Sequence, residues 1–97
     1  MLVSAYFAAF IRITDTRLYD EYLAGFDAVF EGSGGEVVAV DDSALVLEGS
    51  PPGGRFVLMR FPDEASLRMW YDSPGYARLR ALRQSASEGD VLLVHGR

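Results

Sequence analysis

Residues Leu2 to Ile13 form one run that is apolar on both faces of a strand. Val3, Ala5, Phe7, Ala9 and Ile11 alternate with Ser4, Tyr6, Ala8, Phe10 and Arg12. Successive side chains of a strand point to opposite faces. A strand that keeps both faces from water needs cover on both sides. Helices of the same chain supply one cover, and a partner subunit is the simplest source of the other. The run has no basic n-region and no small-residue cleavage site, so it reads as a strand rather than a signal peptide.

The rest of the chain supplies those helices. Asp15 is placed to cap a helix in which Leu18, Tyr22, Phe26, Val29 and Phe30 recur at helical spacing, with Tyr19 and Leu23 widening the stripe. Gly32-Ser33-Gly34-Gly35 ends it. Glu36 to Val40 reads as a second strand, Asp41-Asp42-Ser43 as a turn or bulge, and Ala44 to Glu48 as a short strand. That short strand either continues the second or folds back on it. Gly49 to Gly54 is a loop by composition. Arg55 to Phe61 is the next strand. Asp63 caps a helix that stops and restarts at Asp72-Ser73-Pro74. Ser73 can accept a hydrogen bond from a first-turn N–H, and Pro74 lacks a donor where none is needed. Such a joint aims Tyr76 and Arg83 in directions a straight helix would not allow. The second segment runs to about Ala86, Ser87-Glu88-Gly89-Asp90 reads as a turn, and Val91 to His95 is the last strand.

The order β-α-β-(β)-β-α-β predicts an α+β fold over residues 1–97 as a single domain. It is a ferredoxin-like split βαβ sandwich, an antiparallel sheet with two helices on one face, the second broken at Ser73-Pro74. The open face, carrying Tyr6, Phe10 and Leu58 or their neighbours, is large enough to drive association. Two such sheets packed face to face make a dimeric α+β barrel with a shared interior. The expected partner is therefore a second copy, bound through the open sheet face.

Composition narrows the chemistry. The net charge is −5, and all nine basic residues are arginines. An acidic domain without a basic stripe is a poor nucleic-acid binder. No apolar run approaches the roughly 20 residues that span a bilayer, and a cytoplasmic home is expected. Without lysine there is no Schiff-base chemistry. Without cysteine there are no disulfides, thiolate nucleophiles or iron–sulfur ligands. One histidine excludes a multi-histidine metal site, and no cofactor is expected. Gly53-Gly54 lacks phosphate-loop spacing, which argues against nucleotide binding.

Trp70-Tyr71-Asp72-Ser73-Pro74-x-Tyr76, followed by Leu82-Arg83-Gln84, resembles the signature of a small bacterial family. That is the domain-of-unknown-function family numbered thirteen-thirty, within the dimeric α+β barrel superfamily. Thr14-Asp15 with Tyr19 and Tyr22, Gly34-Gly35, Val46-Leu47-Glu48-Gly49, Phe61-Pro62 and Val94-x-Gly96 fit the same pattern, so the resemblance covers nearly the whole chain. It implies the fold and a homodimer, and no particular chemistry. The chain departs from the pattern in carrying Arg60 and His95 where glutamates are usual, and Thr16 where proline is usual.

Six residues are candidates for a site. His95 is the one side chain whose ordinary pKa lies near neutrality and would serve as a catalytic acid or base; the plainer alternative is a strand-end histidine half in solvent. Tyr6, Arg12 and Arg60 put polar groups among apolar ones, the usual make-up of a ligand pocket; for Arg12 the alternative is solvent. Tyr76, like Tyr71, could donate a hydrogen bond to an enolate or phenolate, or be a core aromatic. Trp70 is expected in the core. Arg83 suits a carboxylate, in a ligand or in the protein, with Asp72 its expected structural partner.

Two functions follow. The first is a small homodimeric barrel protein binding a small molecule in or near the barrel interior. The second is a cofactor-independent enzyme of isomerase, cyclase or monooxygenase type, like superfamily relatives acting on enolisable or aromatic substrates. There His95 would abstract a proton while Tyr6, Arg60 or Arg12 stabilised the enolate. Haem ligation by His95 is weaker, because the chain is short and has one histidine.

Overall fold

The computed structural model of the protein describes residues 3–97; Leu2, read into the first strand, lies outside the described residues. The elements are β1 (Ala5–Ile13), α1 (Thr16–Phe30), β2 (Glu36–Asp41), β3 (Arg55–Phe61), α2 (Glu64–Tyr71), α3 (Pro74–Ala86) and β4 (Ser87–His95). The four strands form one sheet in the order β2-β3-β1-β4, every neighbour antiparallel. This is the ferredoxin-like arrangement expected from the order of elements.

Strand β1 is central, between β3 and β4. Its Ala5, Phe7, Ala9 and Ile11 are buried under the helices. Met59 and Phe61 of β3, Tyr19 and Tyr22 of α1, Leu67 and Trp70 of α2, and Tyr76, Leu79 and Ala86 of α3 complete that core. Burial of such aliphatic and aromatic side chains contributes on the order of 2 kcal/mol each. The opposite face presents Tyr6, Phe10 and Arg12, with Arg60, Leu58, Phe56, Val94 and Leu92 beside them in register.

The caps lie where the sequence puts them. Leu18 N donates to Asp15 Oδ1, Ser66 N to Asp63 Oδ1, and Tyr76 N to Ser73 Oγ. Ser73 Oγ also donates to the Trp70 carbonyl at 2.7 Å. The hydroxyl thus closes one helix and opens the next, with Pro74 at the start of α3.

Three expectations are corrected. Ala44 to Glu48 is neither a continuation of β2 nor a strand folded back on it; residues 42–54 are an exposed connection. Leu45 and Leu47 there are 91% and 94% exposed, so the apolar residues that suggested a strand meet no neighbouring strand. Ser87 to Asp90 is not a turn. It is the first half of β4, paired along β1 from Ile13 to Phe10. The glycine that suggested a turn is instead required by proximity, because a Cβ at Gly89 would lie 2.1 Å from the Phe10 carbonyl oxygen. Finally, Asp72 pairs with Arg80 at 3.7 Å and not with Arg83. Arg80 also donates to the Tyr71 carbonyl and lies over the Tyr71 ring.

Candidate functional site

Helix α1 crosses the sheet without covering the helix-side face of the edge strand β2. Val37 and Val40 there remain half exposed. A cavity of about 180 Å³ opens at this margin. Its floor is Phe7, Ala9 and Ile11 of β1 with Val57 and Met59 of β3; its roof is Tyr19, Tyr22, Leu23, Phe26 and Asp27 of α1. An apolar cavity of roughly 150 Å³ accommodates benzene in another protein, so this one suits a single aromatic ring with small substituents.

The polar groups at this cavity come from three elements. On α3 the inward stripe is Tyr76, Leu79, Arg83 and Ala86, which places an arginine at a core position. Arg83 is buried at 6% exposure, and its Nε and Nη2 have no hydrogen-bond partner among the described residues. Burial works against its charge, but the phenol oxygens of Tyr76, Tyr22 and Tyr71 more than offset this and hold its pKa above the ordinary arginine value. The guanidinium thus sits among phenol oxygens, with no carboxylate bound to it among the described residues.

Beside it, the hydroxyls of Tyr22 and Tyr76 are hydrogen-bonded at 2.8 Å. Desolvation, with the neighbouring Tyr76 phenol, pushes the Tyr22 pKa far up, so this phenol stays neutral. Tyr19 is also raised, mainly by burial, with Arg55 and Arg83 pulling it the other way. At the mouth, Arg55 Nε donates to Asp42 Oδ1 at 2.6 Å and Nη2 to Oδ2 at 3.2 Å. Its guanidinium lies 5.6 Å from the Tyr19 ring centre. Asp41-Asp42 therefore does more than make a turn, because Asp42 holds Arg55.

The six candidate residues fall into three groups. Arg83 lines the helix-side cavity, and Tyr76 is buried in the core beside it. Tyr6, Arg12 and Arg60 lie on the opposite, open face of the sheet. Tyr6 stands across from Arg60, which forms an ion pair with Glu36. The Nη1 of Arg12 is buried without a partner among the described residues. His95 stands apart from both groups. It pairs with core-facing Ala5, so it is on the helix side at the end of edge strand β4, with its Nε2 2.5 Å from Glu64 Oε1. Its side chain is 59% exposed. The geometry thus joins His95 to none of the three open-face residues.

Tyr19, Tyr22 and Arg55 line the cavity and were not among the sequence candidates. A signal existed for two of them, since tyrosines at positions where phenylalanine would pack equally well carry a hydroxyl into the core. Arg55 had none, because its role depends on α1 and on Asp42. Among the described residues, no group of three or more His, Cys, Asp and Glu could hold a metal ion. No helix there is long and apolar enough to cross a membrane.

Comparison with solved structures supports the same fold. A protein of unknown function from Rhodopseudomonas palustris aligns with a TM-score of 0.81 at 18% identity, over 100% of this chain and 85% of that one. SnoaB, a cofactor-independent oxygenase from Streptomyces nogalater, aligns with a TM-score of 0.66 at 15% identity, over 98% and 94%. A dimeric ferredoxin-like protein of unknown function from Thermobifida fusca gives 0.65 at 12% identity, over 98% and 92%. No curated protein matches the sequence. The profile of the domain of unknown function DUF1330 matches residues 4–97, nearly the whole chain, and the protein belongs to that family.

Proposed function

We propose that the protein is a homodimer whose subunits each bind a small organic anion, with an aromatic or enolisable body, in the cavity under α1. The observation that carries this is Arg83, a buried guanidinium with two unpartnered nitrogens beside an apolar cavity. A buried charge without a counter-ion costs several kcal/mol, and a ligand carboxylate, enolate or phenolate removes that cost by a charge-assisted hydrogen bond. Phe26, Val57 and Met59 supply the apolar contact for the body of the ligand.

The open sheet face belongs to the partner copy in this reading. Leu92 and Val94 are about half exposed there, next to Phe10, Phe56 and Leu58. Leu45 and Leu47 of the 42–54 connection, almost fully exposed, gain cover from that copy in the same reading. Tyr6, Arg12 and Arg60 then lie between the two sheets.

One observation favours a second reading, a cofactor-independent enzyme. The Tyr22 and Tyr76 hydroxyls are paired beside a cation, with Tyr22 kept neutral by burial, a set that suits hydrogen bonding to a developing enolate oxygen. Structural relatives include a cofactor-independent oxygenase, which supports this reading by analogy of fold alone. His95, exposed and paired with Glu64, takes no part in it.

The binding reading is tested by titrating the protein with benzoate while following Trp70 fluorescence, whose ring centre lies 4.0 Å from that of Tyr76. Saturable binding that is lost in Arg83→Met supports it. Binding that is absent, or indifferent to Arg83→Met, refutes it. Light scattering tests the dimer, and a monomeric mass overturns that part.

A further inference from the structure

Two cations line the cavity. Arg83 is buried and without a carboxylate. Arg55 lines the same cavity at its mouth, against the Tyr19 ring. The two differ in what they hold. Arg83 makes no ion pair among the described residues, whereas Arg55 holds Asp42 through two hydrogen bonds. Asp42 is a weak competitor, since its side chain is 67% exposed and it sits in an irregular connection. An ion pair with an exposed carboxylate contributes little to stability. An incoming carboxylate that is already fixed at its other end replaces such a partner readily, because most of its binding entropy has been lost at the first contact.

Resting on the anion-binding reading, we propose that the cavity selects aromatic dicarboxylates. Arg83 takes one carboxylate and Arg55 takes the other in place of Asp42. Arg55 is then the specificity-determining residue. Asp42 is an internal stand-in for the second carboxylate, and it keeps Arg55 positioned while the site is empty. The volume suits one ring, the lining is apolar apart from Tyr19, Tyr22, Asp27 and the two arginines, and the two guanidinium groups are its cationic contacts. Exchange of Asp42 for ligand also releases a tether on the 42–54 connection.

The test is calorimetric titration of the full-length protein at pH 7 with two probes, benzoate and isophthalate. Isophthalate is expected to bind about tenfold more tightly than benzoate. Arg55→Met lowers isophthalate affinity to the benzoate level and leaves benzoate within twofold. Asp42→Asn, which frees Arg55, tightens isophthalate about threefold. Arg78→Met, which removes an exposed charge outside the cavity, leaves the ratio of the two affinities unchanged. Equal affinities for the two acids, or an Arg55→Met variant that weakens both alike, would overturn the proposal. If benzoate binding depends on Arg83 while isophthalate gains nothing, dicarboxylate selection fails and the anion-binding reading stands. If neither acid binds, or binding ignores Arg83→Met, both fail.

Discussion

Arg83→Met is expected to make the ligand-free protein more stable. The wild-type side chain is 6% exposed, with Nε and Nη2 both orphaned. Each unmade hydrogen bond of a buried donor costs about 1–3 kcal/mol, and replacing buried charges with apolar groups of similar volume is often stabilising by about 1–4 kcal/mol. Methionine keeps most of the stem, tolerates an irregular site and is a good helix former. Against this stand the loss of attraction between the guanidinium and the phenol oxygens of Tyr76 and Tyr22, and a small void. The balance is a gain of about 2 kcal/mol, or roughly 10 °C in Tm for a domain of this size. Calorimetric melting at fixed protein concentration measures it; concentration must be held because association also shifts Tm. Benzoate at a hundredfold excess over Kd should raise the wild type by about 2.7 kcal/mol and leave Arg83→Met unmoved, so the two proteins converge. An Arg83→Met variant that melts below wild type in ligand-free buffer would refute the reasoning. Arg83 would then be a structural arginine whose charge the fold uses.

Three further outcomes are expected. Tyr22→Phe and Tyr76→Phe each strand the other hydroxyl and should each cost about 1–2 kcal/mol in urea unfolding; the double variant should cost clearly less than the sum, and additive losses would mean that the 2.8 Å contact carries no coupling. Asp63 is held below its ordinary pKa by the Ser66 backbone N–H; its contribution is full above the unfolded carboxylate value of about 3.9 and is lost as pH falls through the lower folded value. The advantage of wild type over Asp63→Asn should therefore shrink from pH 6 to pH 3, and a gap that widens in acid would contradict the shift. Gly89→Ala should destabilise by at least about 2 kcal/mol, since the new methyl meets the Phe10 carbonyl rather than a movable side chain; a neutral result would mean that β1 and β4 separate there without cost.

The fold was legible because its signals are local and agree with one another. The alternation along β1, the caps at Asp15, Asp63 and Ser73, and the proline at the start of α3 each act within a few residues. The failures also have local causes. Leu45 and Leu47 look like strand residues because they are apolar, but apolar side chains can equally serve a surface that another chain covers. Ser87-Glu88-Gly89-Asp90 has turn composition, yet Gly89 is there for the approach of the Phe10 carbonyl, a tertiary fact. Within the site, the exposure of His95 is fixed by the edge position of β4, and its Glu64 partner is 31 residues away. The bond between Arg55 and Asp42 spans the connection that composition reads only as a loop. Arg83 was a candidate as a planar fork suited to a carboxylate, and its expected protein partner, Asp72, pairs with Arg80 instead.

The helix joint explains why that arginine is buried at all. An α-helix turns about 100° per residue. Trp70 faces the core from α2. Had the helix run straight on, Tyr76, six residues later, would point about 120° away from the direction of Trp70. Arg83, thirteen residues later, would point about 140° away. Both would be near the solvent side, where an arginine is ordinary. The break at Ser73-Pro74 lets a new helix start with its own phase and axis. In that helix Tyr76, Leu79, Arg83 and Ala86 are the buried set. A single serine hydroxyl, accepting from Tyr76 N and donating to the Trp70 carbonyl, fixes this change of phase. The joint thereby turns an otherwise solvent-facing tyrosine and arginine into a phenol pair and an unpaired cation under α1. The fold accepts that unfavourable burial without an internal acid to neutralise it, which is the arrangement expected when the neutralising group arrives from outside.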